Sequence, residues 1–179
     1  MSKSFNSKRQ MIETLILADE VLSGEFSFGE KFKCVIVGGS AFLLKYELGR
    51  VTLDIDIYSE RLQKLEGAKR ILNSFNINTQ SMSVITLPHK FDEKAIKLNI
   101  ETKCIDYYVL DDYALVISKL GSGRPLDNRD LLETSILDNV DFVFLGKLLE
   151  DTLIDNPVGA ERIRNNFNYI KAEYVKKTF

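Results

Sequence analysis

Two glycines, Gly38 and Gly39, close the apolar run Phe32-Lys-Cys-Val-Ile-Val37, and a second stretch, Arg50-Val-Thr-Leu-Asp-Ile-Asp-Ile57, follows shortly after. The first run reads as a short strand ended by its glycines. Residues 52–58 alternate strictly, with Leu53, Ile55 and Ile57 on one side and Thr52, Asp54, Asp56 and Tyr58 on the other. Between the two strands, Gly39 or Ser40 caps a helix that reaches Leu48 and stops at Gly49. A strand–helix–strand unit of this kind demands a sheet with helices beside it.

The flanking segments agree. Residues 6–22 place Met11, Ile12, Leu15, Ile16, Val21 and Leu22 at helical spacing against Lys8, Glu13 and Asp19, and Ser23-Gly24 ends the pattern. Residues 61–73 read as a helix, and 83–87, 95–100 and 104–110 as strands. Asp111 caps a helix over 112–120 that Gly121-Ser122-Gly123 stops, and Pro125 introduces another helix capped by Asp127. Residues 142–153 are helical, and a last helix opens with Asn156-Pro157 as N-cap and N1. The class is therefore α/β (α+β): a mixed sheet flanked by N- and C-terminal helices. The expected divisions are an N-terminal helical segment over 1–30, a core over 31–138, and C-terminal helices over 139–179 packed on that core.

Composition narrows the function classes. With 45% apolar and 28% charged residues the chain is an ordinary globular protein, and 179 residues suit one domain with a helical appendage. A net charge of -2 argues against a general nucleic-acid coat. A single histidine, His89, excludes a multi-His zinc site, and Cys34 and Cys104 sit in apolar runs, as reduced core thiols do. The residues after Met1 lack a signal-peptide core and no stretch is apolar enough to span a bilayer, so a cytoplasmic location without membrane attachment is expected.

Asp54 and Asp56 share one face of their strand, the spacing at which two carboxylates hold a hard divalent cation. Such cations clamp the attacking and leaving oxygens of a phosphoryl displacement. Gly38-Gly39 would let phosphate approach backbone N–H groups at a helix N-terminus, and Ser40 adds a hydroxyl. Each half has a plain alternative, a tight turn for the glycines and a solvated strand face for the acids.

Joined by one helix, Gly38-Gly39-Ser40 and Thr52-x-Asp54-x-Asp56 resemble the signature of the DNA polymerase beta-like nucleotidyltransferase superfamily. Within it the chain is most similar to a small bacterial branch containing the AbiEii-type toxins of type IV toxin–antitoxin systems. Leu110 through Asp130, with Ile117-Ser-Lys-Leu120, Gly123-Arg-Pro125, Asp127 and Asp130, resembles that branch's second block, so the likeness covers residues 33–132. It implies a minimal nucleotidyltransferase fold, Mg²⁺ or Mn²⁺ at Asp54 and Asp56, and a nucleoside triphosphate donor on Gly38, Gly39, Ser40 and Thr52. It also implies that Lys119 contacts the triphosphate and Asp130 helps to place it.

Read from the residues alone, the second block stays open. Lys119 suits a helix C-terminal dipole as well as a phosphate, Asp127 and Asp130 suit a cap and a first-turn acid, and Arg124 is a phosphate clamp or a solvated arginine. The superfamily's third carboxylate is missing from its expected strand. Ile96-Lys-Leu-Asn-Ile100 presents Asn99 there, and Glu101 or Asp106 is the substitute. His89 in its Pro-His-Lys loop is a base or an ordinary loop residue. Arg162, Arg164, Lys171, Lys176 and Lys177 of the last helix are an RNA-binding or a solvated face.

The expected activity is transfer of a nucleoside monophosphate to a hydroxyl of RNA, a protein side chain, an antibiotic or another small molecule. The toxin–antitoxin likeness implies an antitoxin partner. The rivals are a catalytically degenerate nucleotide-binding or interaction module of the same fold and a structural protein whose helices form a homo-oligomer.

Overall fold

The computed structural model describes residues 4–27, 29–46, 51–79 and 85–178. They form a mixed α/β fold with a five-stranded sheet and, among the described residues, eight α-helices in two compact units. The first unit comprises Met1–Ser83 with Ala95–Leu110, the second Val84–Lys94 with Asp111–Phe179.

In the first unit, helix α1 (Lys8–Glu25) precedes β1 (Phe32–Val37), α2 (Gly38–Lys45), β2 (Ile55–Tyr58), α3 (Glu66–Ser74) and β3 (Ile77–Asn78). After α4 (Phe91–Lys94) of the second unit, the chain returns as β4 (Ile96–Lys97) and β5 (Ile105–Val109). The sheet order is β3-β2-β1-β5-β4, with β1–β2 and β4–β5 antiparallel and β1–β5 and β2–β3 parallel. Residues paired across a sheet share a face. Cys34, Ile36, Ile55, Ile57, Ile77, Ile105, Tyr107 and Val109 therefore form the core face, and all are buried. The Tyr107 hydroxyl donates to the Leu15 carbonyl, which puts α1 on that face.

Asp19 of α1 turns its buried carboxylate toward the start of β5. It accepts the backbone N–H groups of Lys103, Cys104 and Ile105 at 2.5, 3.0 and 2.7 Å. Periodicity assigns Asp19 to a polar face, but three main-chain donors at the start of β5 need an acceptor and α1 supplies it. Phe32 N–H then bonds to Cys104 O, and β5 runs parallel to β1.

The second unit is helical. Helix α5 (Asp112–Ser122) has the expected Asp111 cap, whose Oδ1 accepts from Ala114 N–H at 2.7 Å, and it ends at Gly123 with φ of +63°. Then follow α6 (Pro125–Glu133), a 3₁₀ segment (Ser135–Asn139), α7 (Phe142–Asp155), capped by Asp141, and α8 (Ala160–Thr178). Arg162 and Asn166 of α8 cap α5 from outside, donating to the carbonyls of Gly121 at 2.7 Å and Leu120 at 3.2 Å. Among the described residues no helix is long and apolar enough to cross a membrane.

Several boundaries differ from the pattern-based reading. Helix α1 runs through Ser23-Gly24 to Glu25, since Phe26 N–H still reaches Leu22 O and one exposed terminal glycine costs only ~1 kcal/mol. Helix α2 starts directly at Gly38, with Val37 rather than Gly39 or Ser40 as N-cap residue, and ends at Lys45. The stop assigned to Gly49 lies outside the described residues, as do Ser83 and Val84 of the strand expected over 83–87, whose remaining residues are not extended strand. Strand 52–58 shortens to β2 because Thr52 instead pairs with Phe5 through two backbone hydrogen bonds. Leu53 is consequently 63% exposed instead of facing the core. Helix α6 opens at Pro125 with Arg124 as N-cap residue, so Asp127 is the third helical residue and not the cap. Asn156 ends α7, its amide donating to Thr152 O, and Gly159 at φ of +76° turns the chain into α8 later than Asn156-Pro157 implied.

Replacing Asp19 with alanine strands three backbone donors. Urea denaturation should show a loss of ~3 kcal/mol or more, at about 1–3 kcal/mol per unmet buried group. Asp19→Asn keeps one acceptor oxygen and should lose less.

Candidate active site

The site is built where β1 turns into α2. Gly38 has φ of +65°, which L side chains rarely adopt, and this lets the strand pass into a helix without a linker. Val37, immediately before it, pairs with Asp56 on β2. A Cβ added to Gly38 would lie 3.3 Å from Asp56 Oδ2. The absent side chain thus leaves a cradle at the N-terminus of α2, floored by the Asp56 carboxylate. The α2 N-terminus has no side-chain cap of its own.

Ser40 joins the pieces. It is 1% exposed, its Oγ donates to Val37 O at 2.7 Å, and it accepts from Asp56 N–H at 3.3 Å. The hydroxyl assigned to phosphate from the sequence is engaged in binding the first turn of α2 to β1 and β2. Gly39, half-buried, is the next residue of α2. Asp54 is exposed just before β2, and Asp56 is half-buried within it. Thr52 is buried and donates to Asp54 O at 3.3 Å, so its hydroxyl shapes the approach to the acids.

The acids weighed as the third carboxylate fall elsewhere in the same unit. Asp106 pairs across β1–β5 with Lys33, four residues along β1 from Val37, or ~13 Å at 3.3 Å per residue. It is held by Lys97 at 3.0 Å and Lys31 at 3.7 Å. Asn99 and Glu101 are exposed in the connection from β4 to β5. Among the described residues, no group of three or more His, Cys, Asp and Glu side chains is placed to hold a metal.

The second block forms a separate cluster inside the second unit. Lys119 is 2% exposed, and its ammonium donates to Asp127 Oδ1 at 2.5 Å and Asp130 Oδ2 at 2.7 Å. Asp127 also accepts from Ser122 Oγ and from Arg124 Nε, the latter at 2.7 Å. Burial would raise the Asp127 carboxyl, but the hydrogen bonds from Arg124, Lys119 and Ser122 outweigh it and hold it below the usual carboxylate range. The structure brings together three residues of one sequence block, with Lys119 occupied by both aspartates. Arg124 is the member that faces solvent, its side chain 70% exposed.

Other candidates resolve plainly. His89 is exposed in the turn before α4. Cys34 and Cys104 are buried free thiols. Burial pushes the Cys34 thiol up, and burial with the nearby Asp19 pushes Cys104 up to about 12, so neither is a thiolate nucleophile at neutral pH. In α8, Arg162 caps α5, Arg164 grips Glu150 through Nε at 2.8 Å and Nη2 at 2.7 Å, and Lys177 donates to Leu132 O. Sequence reading missed Asn78, which β3 sets directly beside Asp56. Its signal was the alternation in Asn76-Ile77-Asn78-Thr79 after a helix end.

Three outcomes follow from these geometries. Gly38→Ala should cost ~1–2 kcal/mol in urea denaturation, the penalty of a left-handed conformation for an L residue. Lys119→Met leaves two buried carboxylates without their ammonium and should cost ~3–5 kcal/mol. Because the folded Asp127 carboxyl titrates below its unfolded value, its contribution is complete above about pH 4 and is lost as pH falls through the lower folded value. Denaturation midpoints measured from pH 7 to pH 2 should therefore fall less steeply in acid for Asp127→Asn than for the parent.

No curated protein and no solved structure matches the chain. A family model described as "Nucleotidyltransferase of unknown function (DUF6036)" matches residues 13–179, a span that includes the Gly38–Asp56 cradle and the Lys119 cluster. This chain belongs to that nucleotidyltransferase family.

Proposed function

We propose that the protein is a metal-dependent nucleotidyltransferase that moves a nucleoside monophosphate from a triphosphate to an acceptor hydroxyl. One observation carries the reading: a side-chain-free, left-handed Gly38 at a helix N-terminus, with the Asp56 carboxylate within 3.3 Å of where its Cβ would be. Phosphate oxygens suit the backbone N–H groups of such a turn. A hard cation suits the carboxylate oxygens beside it. The donor set fits Mg²⁺ or Mn²⁺, with Asp54 and Asp56 as the residues that would hold it. When bound, the cation would neutralise charge on the transferring phosphoryl group.

Gly38 and Gly39 seat the triphosphate. Ser40 acts through Asp56, fixing the β2 backbone against the start of α2. The acceptor oxygen forms a bond to the α-phosphorus, the bond from that phosphorus to the bridging oxygen breaks, and pyrophosphate leaves. The acceptor's proton goes to solvent water. Glu101 and Asp106 are not given this role: Glu101 lies in the connection before β5, whose start pairs with Phe32 at the end of β1 away from Gly38, and Asp106 is paired with Lys31 and Lys97. The part that resemblance implies for Lys119 and Asp130 on the triphosphate is not carried into this reading, since those residues bind each other.

The acceptor class, RNA included, belongs to the experiment. A role as the toxin of a toxin–antitoxin pair, with an antitoxin partner, rests on the resemblance to the AbiEii-type branch. A second reading, a non-catalytic nucleotide-binding module, is favoured by one observation: no third acid joins Asp54 and Asp56 among the described residues.

The protein, incubated with each α-labelled triphosphate, Mg²⁺ or Mn²⁺ and cell extract, should label one class of acceptor. Asp56→Asn should lower labelling by ~10²-fold or more. A parent that binds triphosphate but labels nothing with any of the four nucleotides is the non-catalytic module.

A further inference from the structure

We propose that Asn78 completes the cation site, its amide oxygen serving as the third ligand beside Asp54 and Asp56. This rests on the nucleotidyltransferase reading above. It concerns a residue that neither the alternation of 52–58 nor the resemblance singled out.

The argument begins at the end of α3. Phe75 N–H bonds back to Leu72 O and Asn76 N–H to Asn73 O. Asn76 then takes φ of +58°, a left-handed turn that asparagine tolerates better than most residues. The turn reverses the chain so that Ile55 N–H bonds to Asn76 O at 2.8 Å, and β3 runs parallel to β2. In that pairing Ile77 sits beside Ile55 on the core face, and Asn78 sits beside Asp56 on the opposite face. Neighbouring strands are ~4.8 Å apart, so the two side chains leave the sheet side by side. Asn78 is half-buried, as Asp56 is.

On the other flank of Asp56 stands Val37, which offers no ligand. Asp106 lies further along the sheet with two lysines. Asn78 is thus the oxygen-bearing side chain that the strand pairing places next to Asp56. Asparagine carbonyl oxygens are ordinary ligands of hard cations, and the charge count of the ligands tunes affinity. A site of two carboxylates and one amide carries one negative charge fewer than a site of three acids. An amide at neutral pH cannot accept the acceptor's proton, so Asn78 is a ligand and not the base.

Mn²⁺ binding to the triphosphate-free protein, measured by calorimetry, tests this apart from activity. Thermal melts without metal confirm that each variant is folded. Asn78→Asp should tighten Mn²⁺ binding about 10-fold by adding a third charge, and Asn78→Ala should weaken it about 3–10-fold. Asp56→Asn should remove it. If both Asn78 variants bind as the parent does while Asp56→Asn does not bind, Asn78 is no ligand and the nucleotidyltransferase reading stands. If the parent binds no Mn²⁺, or Asp56→Asn binds as the parent does, the cation site itself is wrong and the Asn78 assignment falls with it.

Discussion

The Ser40 hydroxyl is the small interaction on which the geometry around Gly38 and Asp56 depends. By donating to Val37 O and accepting from Asp56 N–H, it ties the end of one strand, the start of a helix and the middle of a second strand into a single junction. A buried hydroxyl with both its donor and acceptor functions met holds geometry more firmly than an apolar contact, because movement leaves polar groups unpaired. The left-handed Gly38 makes the junction tight enough to form, and Asp56 is aimed by it. Loss of either feature moves the carboxylate relative to the helix N-terminus, the relation on which the proposed phosphate and cation binding rests.

Charges in this protein fall into two kinds. Asp19 and the Lys119–Asp127–Asp130 group are buried and fully engaged, one through backbone N–H groups and the other through opposite charges. A charge taken out of water costs several kcal/mol unless such partners are present, so these groups are organised for structure. Asp54 is exposed and Asp56 half-buried, at a turn with no side-chain cap. That contrast in burial separates the acids that hold the fold from the acids proposed to serve a ligand's charge.

The basic face of the last helix shows how the same side chains change meaning on folding. Arg162 is a cap for α5, its guanidinium lying where a Cβ on Gly123 would be. Arg164 is matched bidentately to Glu150. The RNA-binding alternative drew on these cations as a free surface, and Arg162 and Arg164 are among those with partners inside the second unit.

Local chemistry alone determined a good part of this protein. Alternation and glycine placement made β1, the glycine turn that closes it and β2 legible, because strand period and the steric freedom of glycine act over a few residues. The Asp111 cap and the Gly123 stop were legible for the same reason. What only the tertiary structure decided was where polar groups end up. Nothing in the spacing of Lys119, Asp127 and Asp130 says that the three close on one another, or that Asp19 serves donors 84 to 86 residues away. Leu53 is exposed because Phe5, distant in sequence, takes Thr52 as its partner. Asn78 meets Asp56 because a left-handed Asn76 returns the chain alongside β2. The cost of leaving a buried donor, acceptor or charge unmet is the same everywhere in the chain, but the partner that meets it is set by the packing of whole elements, which no local pattern records.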